Sequence, residues 1–551
     1  MRVSRRGLCL GGVALAALAS GGTAFAAPGG DAFTVTGKRG TFLKQVAGRD
    51  FGVGHGGGSG SLGLADAMSQ GRYQAARLRM PKTEAKVADL IAKLDAGWPY
   101  AKAEPPQVHL IGLDVYNAYS LPDNSVVVAF GLLEQAQSDD EVAFILAHEL
   151  GHLRLGHFAH GARVQRQAQL TSRLGELYVI GSAAQAGAGS LRSGGNGVDA
   201  FNSAAAERAS ATNDFLHFIN AGQPSHTRAE EDEADAVGYD LATLAGYSAD
   251  TASAKVFDTI QADAVKQQQE TQGLQSQFDK DLKSAASPAA VQSLVGGGGS
   301  TMDRAGNLLK VAGGFAQGMG KGRGGDDEPK HRPPEERKRG IAQYSADAYP
   351  QGAPLRDEQT SWLQSVRSGP EYAQAKVTVA AIYQAMKARA AGDYPGAAAA
   401  IAQAQSTSFG AEPVVVNEDA RLRDDMGDGQ ASDRLFRQAH QSPDQSVQGY
   451  VDHVRMLWRR GENQPADDII RAGVRRFDSD EKPFMSLQIA VAKQAGRDRD
   501  VEDLLRRCAD YGDDALMRDC NLAAGRNADQ RPDAPHANMP SLPFSIPGLP
   551  H

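Results

Sequence analysis

Cysteine is scarce in this chain: three residues in 551, of which only Cys508 and Cys520 lie beyond Cys9 near the amino terminus. Neither is close to a candidate metal motif, so thiolate ligation of a catalytic metal is not expected. Positive charge is not in excess either. With 58 Lys and Arg against 66 Asp and Glu, the formal net charge is -8 and the pI near 5.9, which leaves no basic footprint for nucleic acid. Long apolar runs are missing as well. The run from Leu8 to Ala19 and the glycine-broken "LYVIGSAAQAGAG" (Leu177 to Gly189) both fall short of the roughly 20 apolar residues that a membrane-spanning helix needs. A transmembrane helix is therefore not expected after the leader, although peripheral membrane contact stays open. What is present is 41% hydrophobic content, enough for two to four domains at about 150 residues each. The 62 glycines indicate that part of the chain is not packed.

Residues 1–26, "MRVSRRGLCLGGVALAALASGGTAFA", combine a basic start, an apolar stretch and the small residues Ala24 and Ala26. This is the pattern of an export signal cleaved after Ala26. "SRRGL" resembles a twin-arginine signal, so both that route and ordinary secretion are open. Export leaves Cys508 and Cys520 as an even pair in an oxidising compartment, where a disulfide between neighbouring helices is expected and two buried thiols are the alternative.

Residues 27–80, with "FGVGHGGGSGSLG", read as a flexible Gly-rich lead-in. Order is expected to begin at the amphipathic "KTEAKVADLIAKLDAG". "VHLIGL" and "SVVVAF" follow as two strands around the turn "PDNS", and "GLLEQAQ" as a short helix, opening a core at 81–260.

"SDDEVAFILAHELGHLRLGH", Ser138 to His157, carries the chemistry. Ser138 with Glu141 forms a capping-box pattern, and Asp139 and Asp140 suit the first turn. Apolar residues cover most of the predicted helix, so it should be central and buried. Buried polar side chains at His148, Glu149 and His152 are costly unless something satisfies them. His148 and His152 share a face and can reach one metal; Glu149 is rotated off that axis, towards an attacking water. The third ligand cannot follow the metzincin pattern, because Leu155 and Phe158 occupy the positions that would be Gly and a ligand. His157 points to another face and reads as a satisfied core or surface histidine.

The better source is "SHTRAEEDEADAVGYDLATLAGYS", Ser225 to Ser248. Thr227 and Glu230 form a second capping-box pattern. Glu231 and Asp235 share a face at i and i+4, beside the small residues Ala234 and Gly238, which permit close helix packing. Glu231 as ligand and Asp235 as the acceptor that orients a ligating histidine fit the logic of zinc sites, whereas a solvated acidic face is the alternative.

Together these segments resemble the zinc metallopeptidases that include HtpX, the CAAX prenyl protease and the periplasmic protease-chaperone BepA (peptidase family M48), over about Val108 to Asp250. The resemblance implies an α+β, mostly helical, gluzincin-like domain with a small β-sheet. It implies one Zn2+ per chain on His148, His152 and Glu231, and Glu149 as general base. It further implies a strand edge after Asn117, Ala118 and Tyr119 along which an extended polypeptide could lie. A downstream His-to-Arg segment of the family corresponds to "HRPPEER", His331 to Arg337, with Arg332 where the family has Pro. His331 could assist catalysis or gate the metal; a charged linker is the alternative. Residues 261–340, with "VGGGGS" and "GKGRGGDDEPK", read as a partly disordered insertion or flap, and 341–371 as a connector.

Gly392, Gly427, Gly461 and Gly496 recur at spacings of 35, 34 and 35 residues, close to the tetratricopeptide (TPR) period. Small or apolar residues recur in register five, nine and twelve positions after each glycine, as stacked helix pairs require. The tryptophan and proline marks of good repeats are mostly absent. Residues 372–524 are expected to form an α-helical TPR-like solenoid, followed by a Pro-rich tail at 525–551. The expectation is a periplasmic zinc endopeptidase acting on polypeptides, in quality control of misfolded or unassembled envelope proteins, with outer-membrane assembly machinery as a further candidate partner. The rival is a chaperone or assembly factor with a latent metal site.

Overall fold

The computed structural model describes residues 33–49, 76–100, 104–121, 123–158, 226–285, 332–353, 357, 359–477, 481–511 and 514–526. The leader, the glycine-rich stretch at 50–75, the 177–189 segment, His331 and residues 527–551 of the Pro-rich tail lie outside them. Among the described residues no helix is long and apolar enough to cross a membrane.

The chain enters through a single helical turn, α1 (Phe42–Gln45), and the first long helix is α2 (Pro81–Asp95), with Pro81 in its first turn, where a missing N–H costs nothing. A three-stranded sheet follows: β1 (Gln107–Ile111), β2 (Ala118–Leu121) and β3 (Ser125–Ala129), in the order β1-β3-β2. The expected two-strand hairpin is thus corrected. "VHLIGL" pairs with β3 in parallel, and the turn, with Asn124 at φ 62°, joins β3 to the short β2, its antiparallel neighbour. Four residues containing Tyr and Ser carry too little apolar pattern to announce a strand. Next come α3 (Phe130–Gln135), α4 (Asp139–Leu155), α5 (Arg228–Leu244), α6 (Ala249–Ala285), α7 (Pro334–Ala348) and α8 (Ser361–Arg367).

Three boundaries shift. Residues 33–49 and 76–80, placed in a flexible lead-in, supply Phe42, Leu43, Val46, Leu78 and Met80 to the main core. Residues 261–285, placed in the insertion, continue α6, and 334–348 form α7, whose Ile341 and Tyr344 are buried in the same core. The 341–371 connector is likewise mostly α7 and α8, with Leu363 and Val366 in that core. At 33–49, 76–80 and 334–371 a few apolar side chains in a polar or glycine-rich context find partners distant in sequence, which local composition cannot register.

Helix α4 is buried nearly all round, as its apolar circumference requires. Ser138 accepts from the Glu141 N–H, but the reciprocal half of the capping box is absent, because the Glu141 carboxylate accepts from Tyr116 and from the Gln137 N–H instead. Asp139 and Asp140 are buried and look outward from their own helix. Asp139 accepts from the Trp362 and Leu363 N–H groups at the start of α8, and Asp140 from those of Ser248 and Gln359.

Beyond α8 the described residues are mostly helical: α9 (Pro370–Ala390), α10 (Tyr394–Gln405), α11 (Pro413–Asp425), α12 (Gly429–Ala439), α13 (Val447–Arg459), α14 (Asn463–Arg476), α15 (Met485–Gln494), α16 (Asp498–Asp510) and α17 (Asp514–Ala523). The periodic glycines sit between the helices of successive pairs, with φ between 69° and 81°, a left-handed conformation that a side chain would disfavour. The positions in register after them are buried on the second helix of each pair, including Ala397, Ser432, Ala466 and Val501, then Ile401, Phe436, Ile470 and Leu505. Cys508 and Cys520 are joined as a disulfide, tying α16 to α17.

The helical array is packed onto the sheet. Side chains alternate across a strand, so Val126 and Val128 face the main core while Val127 and Ala129 face the other way. That second face, with Ile111, Leu113, Val115, Tyr119 and Leu121, is covered by Ala381, Ile382 and Met386 of α9 and Val415 of α11. Arg79 reinforces the junction by donating to Asp444 at 2.9 Å.

Within the array, Asp433, His453 and His440 form a chain of hydrogen bonds at 2.9 and 3.0 Å. Burial holds His440 down to about 3 and His453 down to about 4. Folded values below the ordinary 6.5 contribute stability above pH 6.5 that is lost as pH falls towards 4. The wild-type melting temperature is therefore expected to drop between pH 7 and 4.5, and by less in His440→Gln; equal drops would show that the pair does not carry the effect.

Candidate metal centre

Two helices supply the centre. On α4 the four-residue spacing of His148 and His152 brings their Nε2 atoms to 3.1 Å of each other. On α5, started by a complete capping box between Thr227 and Glu230, Glu231 meets both: Oε2 lies 3.7 Å from His148 Nε2 and Oε1 lies 3.6 Å from His152 Nε2. The three ligand atoms fall within 4.8 Å of one another, and all three residues are buried. Ligands held at about 2.1 Å by one tetrahedral cation stand about 3.4 Å apart, so two imidazoles and one carboxylate fit such an ion with a fourth position left over.

The approach of the helices depends on small residues. A Cβ on Gly238 would stand 2.9 Å from the His148 backbone nitrogen, and one on Gly151 would stand 3.3 Å from Ala234 Cα. Gly238→Ala gains about 1 kcal/mol of helix propensity but overpacks a rigid backbone contact at roughly 1–3 kcal/mol. A lowered melting temperature and weaker metal retention are expected; a stabilised variant would refute the close approach.

Glu149 is held by the sheet. Its Oε2 accepts from the Ser120 N–H at 2.8 Å and the Ser120 hydroxyl at 2.9 Å, while Oε1 lies 4.0 Å from His148 Nε2. Burial raises its pKa, partly offset by His148 and Ser120. Burial alone would lower that of His148, but the hydrogen bond and charge of Asp235, whose Oδ1 is 2.9 Å from Nδ1, outweigh it and the pKa is raised. His152 is pushed well below its ordinary value by burial and by the neighbouring histidines, which keeps its nitrogens available as neutral donors.

Asp235 thus stands where the sequence places it, behind His148. Burial would raise its pKa, yet Arg337 above all holds it low. The Arg337 guanidinium forks onto both Asp235 oxygens at 2.8 and 2.6 Å and reaches Glu231 at 3.5 Å. Arg332, the departure from the family's proline, forks in the same way onto Asp232 at 2.9 and 3.0 Å, and Thr34 donates to that same carboxylate. "HRPPEER" is therefore docked along α5 by its arginines, although His331 itself lies outside the described residues.

Sequence reasoning missed Ser120, the docking of Arg332 and Arg337, and the surroundings of His157. The His157 Nδ1 is 2.9 Å from His152 Nδ1, and its Nε2 is 3.3 Å from Glu233 Oε2. Arg49 and His157 hold the Glu233 carboxylate down to about 2 against the opposing effect of burial. The spacing held a signal: Gly156 ends α4 at φ 69°, and the His157 N–H bonds to the His152 carbonyl at 3.2 Å. In that capping motif the residue after the glycine packs back on the one five positions before it.

Residues 78–308, which contain every one of these α4 and α5 groups, match the family model of peptidase family M48. That stretch is an M48 peptidase domain. A relative from Arabidopsis thaliana, the mitochondrial metalloendopeptidase OMA1, is 40% identical over 55 residues, which is 10% of this chain and 11% of the relative. The match spans about a tenth of that relative's length. M48 peptidases bind a metal, and the donor set of this M48 domain is suited to one.

Proposed function

We propose that the chain is a zinc-dependent endopeptidase of the HExxH-plus-Glu type, with zinc on His148, His152 and Glu231. The observation that carries this reading is the convergence of those three donors beside the free oxygen of Glu149. A bound zinc would supply Lewis-acid polarisation of the scissile carbonyl and acidify an attacking water. Glu149 Oε1 would take the proton from that water and pass it to the leaving amine, while Ser120 keeps Oε2 in place.

The substrate would lie extended along β2, the open edge of the sheet. Antiparallel pairing alternates: with the Ser120 N–H spent on Glu149, Ser120 and Ala118 face away from β3 while Tyr119 and Leu121 face it. The Ala118 N–H and carbonyl and the Ser120 carbonyl then remain to pair with a polypeptide. The export-signal pattern supports a periplasmic location, and with it a role in quality control of misfolded or unassembled envelope proteins. The helix pairs, read as TPR-like, would hold substrate or partner segments.

The reading is tested by zinc stoichiometry and casein cleavage. One zinc per chain and chelator-sensitive cleavage are expected, with both lost in His148→Ala; a chain that retains stoichiometric zinc without cleaving polypeptides would favour a binding role over catalysis.

A further inference from the structure

His157 is five residues beyond the second motif histidine and is not among the three converging donors, yet it is buried and holds two polar contacts. Its ring meets His152 nitrogen to nitrogen, Nδ1 to Nδ1 at 2.9 Å. One of those nitrogens must carry the proton and the other must accept. If His152 Nε2, the atom facing Glu231 and His148, is to offer a lone pair to a metal, its Nδ1 must be the donor. His157 Nδ1 must then accept, which places the His157 proton on Nε2. That atom faces Glu233 Oε2 at 3.3 Å, a carboxylate that accepts from Arg49 through both oxygens at 2.9 Å. Every link of the chain from Arg49 to the metal position thus has one consistent proton placement. The His226 ring, stacked on His152 at 3.8 Å with 19° between planes, restricts rotation of the same imidazole.

We propose that His157 is a positioning residue for the metal centre: with Glu233 behind it, it selects the tautomer of His152 that binds metal. The proposal rests on the reading of His152 as a ligand. It assigns the two ligating histidines different partners, a carboxylate directly for His148 and a carboxylate through a second imidazole for His152. Partners of this kind are typically worth about 10–100-fold in metal affinity.

The test is zinc affinity, measured by competition with a chromogenic chelator on the full-length protein, for wild type, His157→Phe, His157→Asn and Glu233→Ala. Asparagine places Oδ1 where Nδ1 stood and keeps an acceptor for His152, whereas phenylalanine fills the space with none. Roughly 10–100-fold weaker binding is expected in His157→Phe, with His157→Asn restored to near wild type and Glu233→Ala between them. Thermal melts in excess chelator identify any variant that fails to fold, in which case the asparagine and Glu233→Ala pair decides. Wild type without stoichiometric zinc would sink the metal reading itself. Stoichiometric zinc in wild type with equal affinity in His157→Phe, or with His157→Asn as weak as His157→Phe, would overturn the positioning role alone.

Discussion

Glu149→Gln is expected to retain zinc and the wild-type melting temperature while losing about 10²–10⁴-fold in casein cleavage, the range typical of a positioned general base. At 1.36 kcal/mol per decade this is about 3–5 kcal/mol of transition-state stabilisation. Retention of structure follows from how the carboxylate is held. Both Ser120 donors converge on Oε2, so a glutamine can give its carbonyl oxygen to them and turn its amide towards the site. The replaced oxygen is the one facing His148 Nε2, and an amide there cannot take a proton. Glu149→Ala is a poorer test, because it leaves the buried Ser120 N–H unmet at a cost of about 1–3 kcal/mol. A glutamine variant that cleaved as fast as wild type would remove Glu149 from the chemistry.

Deleting the whole helical array from Pro370 onward is expected to leave an insoluble or unfolded peptidase domain. The deletion would uncover Ile111, Leu113, Val115, Tyr119, Leu121 and Val127 on the outer face of the sheet, and would strip Phe130 of its packing with Tyr372. At about 1.5–3 kcal/mol for each large buried side chain, the loss is on the order of 10–20 kcal/mol, as large as the whole stability of a typical domain. A cut after Gln445 keeps α9 to α12 and the Arg79 to Asp444 bridge, so the sheet stays covered. That shorter chain should remain soluble and bind zinc. Solubility and circular dichroism of the two truncations decide the point: a folded domain ending at residue 369 would show that the array is dispensable to the peptidase fold. The first helices of the array therefore serve as the second wall of the sheet whose edge strand holds Glu149, whatever the later pairs bind.

Much of the site is legible in the chain because helical geometry is local. The spacing of His148 and His152, the cap at Ser138, the complete box at Thr227 and the shared face of Glu231 and Asp235 all follow from a period of 3.6 residues. The glycine period and the buried register positions of the array are local for the same reason. What the tertiary structure alone decided is where each polar group finds its partner. Asp139 and Asp140 cap segments more than a hundred residues away, Arg332 and Arg337 reach back to α5, and a serine in a four-residue strand anchors the Glu149 carboxylate. The sequence determined that α4 must bury a polar trio and that α5 could complete it. Only the fold decided that a sheet edge holds Glu149 and that His157, turned back by Gly156, stands behind His152, because a hydrogen bond depends on distance in space and periodicity records distance only along one element.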